Sequence, residues 1–122
     1  MIRLWLAAAA MGGFLSVAAG AFAAHLAGGD SAVALLRTGA FYGTVHAAAL
    51  IGVSALAGAR GRPGPALLVA GWGFAGGMAL FSLSLFALAL TGIGWLGLVT
   101  PFGGLGLLVG WAALGLHAFH RR

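Results

Sequence analysis

Charge along this chain is confined to the gaps between long apolar runs. Leu4 to Leu26, Ala40 to Ala59, Pro65 to Thr91 and Trp95 to Phe119 contain no Asp, Glu, Lys or Arg. Each run suffices for a helix across a hydrocarbon core of about 30 Å, which takes roughly 20 residues. A membrane β-barrel would need at least about eight strands of alternating polarity, and the chain has neither the length nor the alternation. Backbone groups in lipid must find partners within their own segment, so the runs predict helices. The expected fold is all-α: a polytopic membrane protein, an antiparallel four-transmembrane-helix bundle. It is read as one domain over residues 1–122, with spans near 4–26, 38–59, 65–91 and 98–119.

Local signals place the helix ends. Gly28-Gly29 reads as a stop for the first helix, and Asp30-Ser31 as an N-cap for a new one. Ala32 to Arg37 predicts an amphipathic first turn at the membrane surface, leading into the second span. Pro63 and Pro65 prevent continuation through the turn Ala59-Arg60-Gly61-Arg62-Pro63-Gly64. Thr91 to Gly94 forms a tight turn. Trp95 either starts the last helix or lies with the residues up to Val99 along the interface, before a Thr100 cap with Pro101 at the first helical position. The second arrangement keeps Pro101 out of the helix interior and is preferred, giving a span of Pro101 to Phe119. Trp5 and Trp95 fall near span boundaries, where indoles favour the headgroup zone. Trp72 and Trp111 fall inside spans and are expected to pack on neighbouring helices.

Composition agrees with lipid as the main solvent. Of 122 residues, 62% are hydrophobic and 6% charged, against about 25% charged in a soluble domain. The formal charge of +5 comes from arginines at helix ends. A nucleic-acid footprint needs basic residues clustered on an exposed face, so the expected partner is the lipid bilayer and no nucleic acid. Arg3, Arg60, Arg62, Arg121 and Arg122 share one side of a four-span chain. Arg37, partly offset by Asp30, lies on the other. In loops this short the positive-inside rule puts both termini and the second loop in the cytoplasm. Arg3, an apolar run and Ala21-Phe22-Ala23 mimic a cleavable signal, but the run exceeds the usual length of about 7–15 residues. The first segment is therefore read as an anchor. With no cysteine in the chain, disulfides, thiolate metal sites and thiol nucleophiles are excluded.

Small residues recur at four-residue spacing in every span: Gly12, Ser16, Gly20 and Ala24, then Gly39, Gly43 and Ala47, then Gly73 and Gly77, then Gly106 and Gly110. Such stripes let helix backbones approach closely, which drives association in lipid. Enough small faces remain for a homo-oligomer or for docking onto a larger membrane complex.

Polar residues inside spans are the candidates for chemistry. His46 follows Tyr42 by four residues, so both lie on one helix face. It sits roughly 13 Å below Arg37 at about 1.5 Å per residue. His25 ends the first helix on the same side of the membrane. The functional reading is a polar outward-facing pocket, or a haem or metal ligand pair. The plainer one, and the one preferred, is a neutral histidine satisfied by a hydroxyl or a carbonyl of another helix. The two histidines lie at different depths and no carboxylate supports a metal, so neither metal nor cofactor is expected; haem is the alternative. Ser82 and Ser84 are expected to bond back to their own chain or across to a neighbour. A catalytic serine would need a positioned base and a third group, and nothing acidic stands behind His46. His117 and His120 suit the last turn of a helix, where cations are favoured.

Four ordered motifs carry a resemblance. They are Gly20-Ala21-Phe22-Ala23-Ala24-His25; Thr38-Gly39 with Tyr42 and His46; Phe81-Ser82-Leu83-Ser84-Leu85; and Thr100-Pro101-Phe102-Gly103-Gly104 with Gly110-Trp111. In these the chain resembles the YgdD/YwdK family of small bacterial inner-membrane proteins, domain of unknown function 423. Where those relatives often have glycine and tyrosine, this chain has Leu83 and Phe86. The resemblance implies four spans and residence in the inner membrane, and it implies no activity.

The expected function is an integral membrane component, structural, accessory or oligomeric, without catalysis of its own. One alternative is a small transporter or channel subunit with a polar site at His46 and Tyr42. Proton coupling of the kind used by four-helix multidrug transporters needs an embedded acid, which no span contains. The other is a haem or quinone site built from His25, Tyr42 and His46.

Overall fold

A computed structural model of the chain describes residues 1–25 and 29–120. Four helices follow one another: α1 (Ile2–His25), α2 (Asp30–Ala59), α3 (Pro65–Thr91) and α4 (Thr100–His120). A short 3-10 helix, Gly94–Leu98, precedes α4. All four α-helices are long and apolar enough to cross a membrane. This is an all-α polytopic membrane protein, a four-helix bundle.

The second helix starts at Asp30, ahead of the span expected from residue 38 and within two residues of the start that the expected cap and interfacial turn imply. Nothing between those positions interrupts a helix, and Leu36, only 2% exposed, anchors the segment by packing. The residue before it, Gly29, is extended (φ −64°, ψ 151°) and no side chain caps the end, so Asp30 and Ser31 belong to the helix rather than to an N-cap. The expected stop at Gly28, the expected last residue of the first span, Leu26, and Arg121 and Arg122 lie outside the described residues.

Proline and glycine set the other ends. Pro65 is the first residue of α3, where its missing N–H has no intrahelical partner to lose. Gly92 closes α3 in the left-handed region (φ 71°), its N–H donating to Leu88 O at 2.8 Å. The last helix begins at Thr100, so Pro101 stands in its first turn and breaks no helical bond. The residues before it form the 3-10 helix, with Trp95 and Leu98 exposed. The span expected at 98–119 is thus α4 plus the end of this short element.

The helices pack mainly in chain order. Close backbone contact joins α1 to α2, α2 to α3 and α3 to α4, and a lesser contact joins α1 to α3. Among the described residues no comparable contact joins α1 to α4. These two are therefore the outer helices, and α2 and α3 lie between them. The main core, with Leu50, Val53, Leu67, Ala70 and Phe74, fills the half of the bundle toward Pro65. A smaller cluster of Ala23, Leu36, Ala40 and Phe86 fills the half toward Thr100.

Trp5 corrects the expectation of an interfacial indole. It is fully buried in the main core, with its ring in the space that a side chain at position 71 would occupy. Trp72 meets it edge-on, at 6.0 Å between ring centroids, and is itself 48% exposed. Gly71 supplies the slot, so of two neighbouring indoles the one facing that slot goes inside.

Candidate functional site

Three hydrogen bonds between polar side chains and other helices cross the bundle among the described residues, and the remaining ones lie within a helix or its end. Ser82 Oγ on α3 donates to Gly39 O on α2 at 2.8 Å. Ser84 Oγ shares a hydrogen bond with Thr100 Oγ1 at the start of α4, 2.6 Å away, and also reaches Phe81 O at 2.9 Å. Ser54, which the sequence reading passed over, donates to Leu50 O within its own helix at 2.8 Å. A hydroxyl bonded to a carbonyl avoids the cost of a bare polar group in hydrocarbon.

His46 is the centre of the largest such arrangement. It is 4% exposed, and Trp111 Nε1 on α4 donates to its Nε2 at 2.9 Å. Indole nitrogen can only donate, so His46 Nε2 is the acceptor and the ring hydrogen sits on Nδ1. That hydrogen is directed at Tyr42 O, 2.7 Å away and one turn back. Both ring nitrogens are thereby occupied in the neutral ring. Phe74 packs against both the His46 and the Trp111 rings, with centroids 5.7 Å and 4.9 Å away. The Tyr42 ring lies nearly parallel to His46 (9°) and 4.8 Å from Phe81.

This bridge crosses a cleft between α2 and α4, floored by α3. Toward Thr100 the cleft has a volume of about 580 Å³, lined by Tyr42, His46, Phe81, Leu105, Leu108 and Trp111 among others. Toward Pro65 it continues past Trp111 between Gly52, Leu56 and Leu114. The Tyr42 hydroxyl has no hydrogen-bond partner among the described residues.

His25 is not part of this site. Small residues fix the register of α1 on α2: Gly20 faces Ala40 Cβ and Gly13 faces Ala47 Cβ. His46 is therefore level with Gly13, and His25 lies about 18 Å further along α1 at about 1.5 Å per residue. His25 is exposed. Among the described residues no group of three or more His, Cys, Asp or Glu side chains comes together to hold a metal. At the other end, His120 Nδ1 lies 2.9 Å from Leu116 O in the last turn of α4.

Residues 19–104 match the family model described as "Protein of unknown function (DUF423)". The chain belongs to the DUF423 family. It is 34% identical to UPF0382 membrane protein YwdK of Bacillus subtilis over 113 residues, covering 90% of this chain and 91% of that relative. It is 34% identical to UPF0382 inner membrane protein YgdD of Escherichia coli K12 over 121 residues, covering 92% and 86% respectively. A UPF0382 membrane protein of Haemophilus influenzae is 36% identical over 125 residues, covering 98% and 96%. No solved structure matches the chain. In this DUF423 protein Tyr42, His46, Ser82 and Ser84 fall inside the matched stretch, and Trp111 lies beyond it.

Glycine places the walls of the DUF423 cleft. A methyl group at Gly77 would come within 2.7 Å of Leu107 N and 2.8 Å of Gly103 O. One at Gly73 would meet Gly106 O at 2.9 Å, and one at Gly106 would meet Gly77 Cα at 3.1 Å. Gly110 leaves room for the Phe74 ring, 2.6 Å from where a Cβ would stand. On the far side of the bundle Gly12 lies under Met78, Gly39 under Phe86, and Gly43 against Ser16 and Ser82. Ser16 is 1% exposed, and its Oγ has no hydrogen-bond partner among the described residues. Gly103 and Trp111 are the members of the arrangement that residue spacing missed. An indole inside a span points to the second as a donor in search of an acceptor, a need that the buried Trp5 Nε1 does not meet among the described residues.

Proposed function

We propose that this DUF423 protein is a structural or accessory component of the bacterial inner membrane, working as a homo-oligomer or within a larger membrane assembly and without catalysis of its own. The observation that carries this reading is the use of the intramembrane polar atoms. Ser82, Ser84, His46 and Trp111 tie α2, α3 and α4 together, and both His46 nitrogens are already engaged. Haem ligation through His46 Nε2 would require Trp111 to leave it. A proton pathway needs a group free to exchange partners, and His46 is held on both sides. The membrane-facing surfaces are covered instead with large apolar side chains, among them Phe14, Phe41 and Phe102. These suit lipid or a second membrane protein. Both termini and the Arg60–Gly64 turn are assigned to the cytoplasm by the arginine distribution.

Two measurements test this reading. Extraction of native membranes in mild detergent, followed by sizing and cross-linking, is expected to give a particle larger than a 12.1 kDa monomer in its detergent belt. A strictly monomeric particle with no cross-linked neighbour contradicts it. The absence of cysteine makes threading easy to read. Gly94→Cys is expected to react with an impermeant maleimide in intact cells, and Gly64→Cys only after permeabilisation. The reverse pattern overturns the orientation.

A further inference from the structure

We propose that the α2–α4 cleft binds the ring of a membrane-soluble isoprenoid quinone, with the Tyr42 hydroxyl donating to a ring carbonyl. The inference goes beyond the accessory reading and does not depend on it. Every other polar side-chain atom in the cleft is occupied: Trp111 Nε1 bonds His46 Nε2, and His46 Nδ1 faces Tyr42 O. Tyr42 alone among the lining residues presents a donor with no protein partner among the described residues, and the residue is 41% exposed. A hydroxyl left bare in hydrocarbon is costly, so the cleft favours a ligand that brings an acceptor.

Depth and shape narrow the class. Tyr42 packs on Phe81 and lies about 7.5 Å beyond Arg37 along α2 at about 1.5 Å per residue. A charged headgroup finds no counter-charge in this uncharged lining, and a plain acyl chain carries no acceptor. A quinone has carbonyl oxygens on a flat, lipid-soluble ring. Flat rings suit a space walled by Tyr42, Phe81 and Trp111, where offset and edge-on aromatic contacts are available. The volume of about 580 Å³ falls within the range of roughly 300–1,000 Å³ typical of small-molecule sites. The open side of the cleft leaves the isoprenoid tail in the bilayer.

The test uses the full chain in lipid nanodiscs, a decyl-substituted benzoquinone as probe, and tryptophan quenching as readout. Saturable quenching is expected, because Trp111 borders the ring site. Tyr42→Phe is expected to raise Kd by about fivefold, the loss of one hydrogen bond. Gly104→Leu fills the cleft from its α4 wall and should abolish saturation. Its Cβ meets only the Phe81 ring, at 3.8 Å, so the helix tolerates it. Leu108→Trp, at a position 66% exposed, fills the same space without touching the core and should act alike. Gly115→Leu, with open space around it, should leave binding unchanged. Decylbenzene should not compete. The proposal is overturned if Gly104→Leu and Leu108→Trp quench as the parent does, if Tyr42→Phe binds with unchanged Kd, or if decylbenzene displaces the quinone as well as the quinone itself does.

Discussion

The fourth helix meets its two neighbours in opposite ways. Against α3 it lies backbone to backbone, with Gly73 and Gly77 facing Gly103, Gly106 and Gly110. Against α2 it stands off across an open cleft, joined by the Trp111–His46 hydrogen bond and by partial packing around Leu107 and Ala113. The first contact is made by leaving side chains out, which lets dispersion act over the whole length of the seam. The second is made by one polar pair, strong because no water competes for it but dependent on two atoms. A membrane bundle can thus fix one helix rigidly on one side and keep a side entrance on the other.

The largest effect should come from closing the seam to backbone contact. Gly77→Leu is expected to destabilise the bundle by at least about 3 kcal/mol, because backbone rather than a flexible side chain meets the new group. Denaturant or SDS titration of the purified protein would show it, and a parent-like transition would mean that α4 is not seated as described. A smaller effect is expected on the cleft side. Trp111→Phe leaves His46 Nε2 without a donor and should cost about 1–3 kcal/mol. In a His46→Leu background the same change should cost much less. Equal costs in the two backgrounds would remove the bond as a tie between α2 and α4. Ser84→Ala is the mildest of the three, at about 0.6 kcal/mol, the average for hydrogen bonds between membrane helices. A cost as large as that of Trp111→Phe would reverse the ranking of the ties.

Much of this contrast could be read from residue order. Long uncharged runs predicted the spans, and Pro65, Gly92 and Pro101 stand at helix ends because each removes or permits something that the backbone registers locally. The stripes Gly73/Gly77 and Gly106/Gly110 pointed to close approach, since four-residue spacing puts them on one helix face. What remained hidden depends on pairing between distant segments. Trp5 and Trp72 look alike in sequence, and only the slot at Gly71 sends Trp5 inside. Tyr42 and His46 were legible as one face of one helix. Their partner, Trp111, lies 65 residues from His46 and becomes identifiable only once α4 is registered on α3. The separation of His25 from His46, expected from their different depths, follows from the register of α1 on α2. The start of α2 was legible to within two residues from Asp30-Ser31, because Asp30 and Arg37 mark the membrane boundary but do not interrupt a helix.

The ties between helices stand or fall on the protonation and partners of one imidazole. Nitrogen-15 NMR of the protein in lipid, with labelled histidine and tryptophan, reads both directly. A neutral His46 ring with hydrogen on Nδ1, and a hydrogen-bonded Nε2 correlated with the Trp111 indole N–H, is the predicted result. An Nε2–H tautomer, or a Trp111 indole with no correlation to His46, would contradict it.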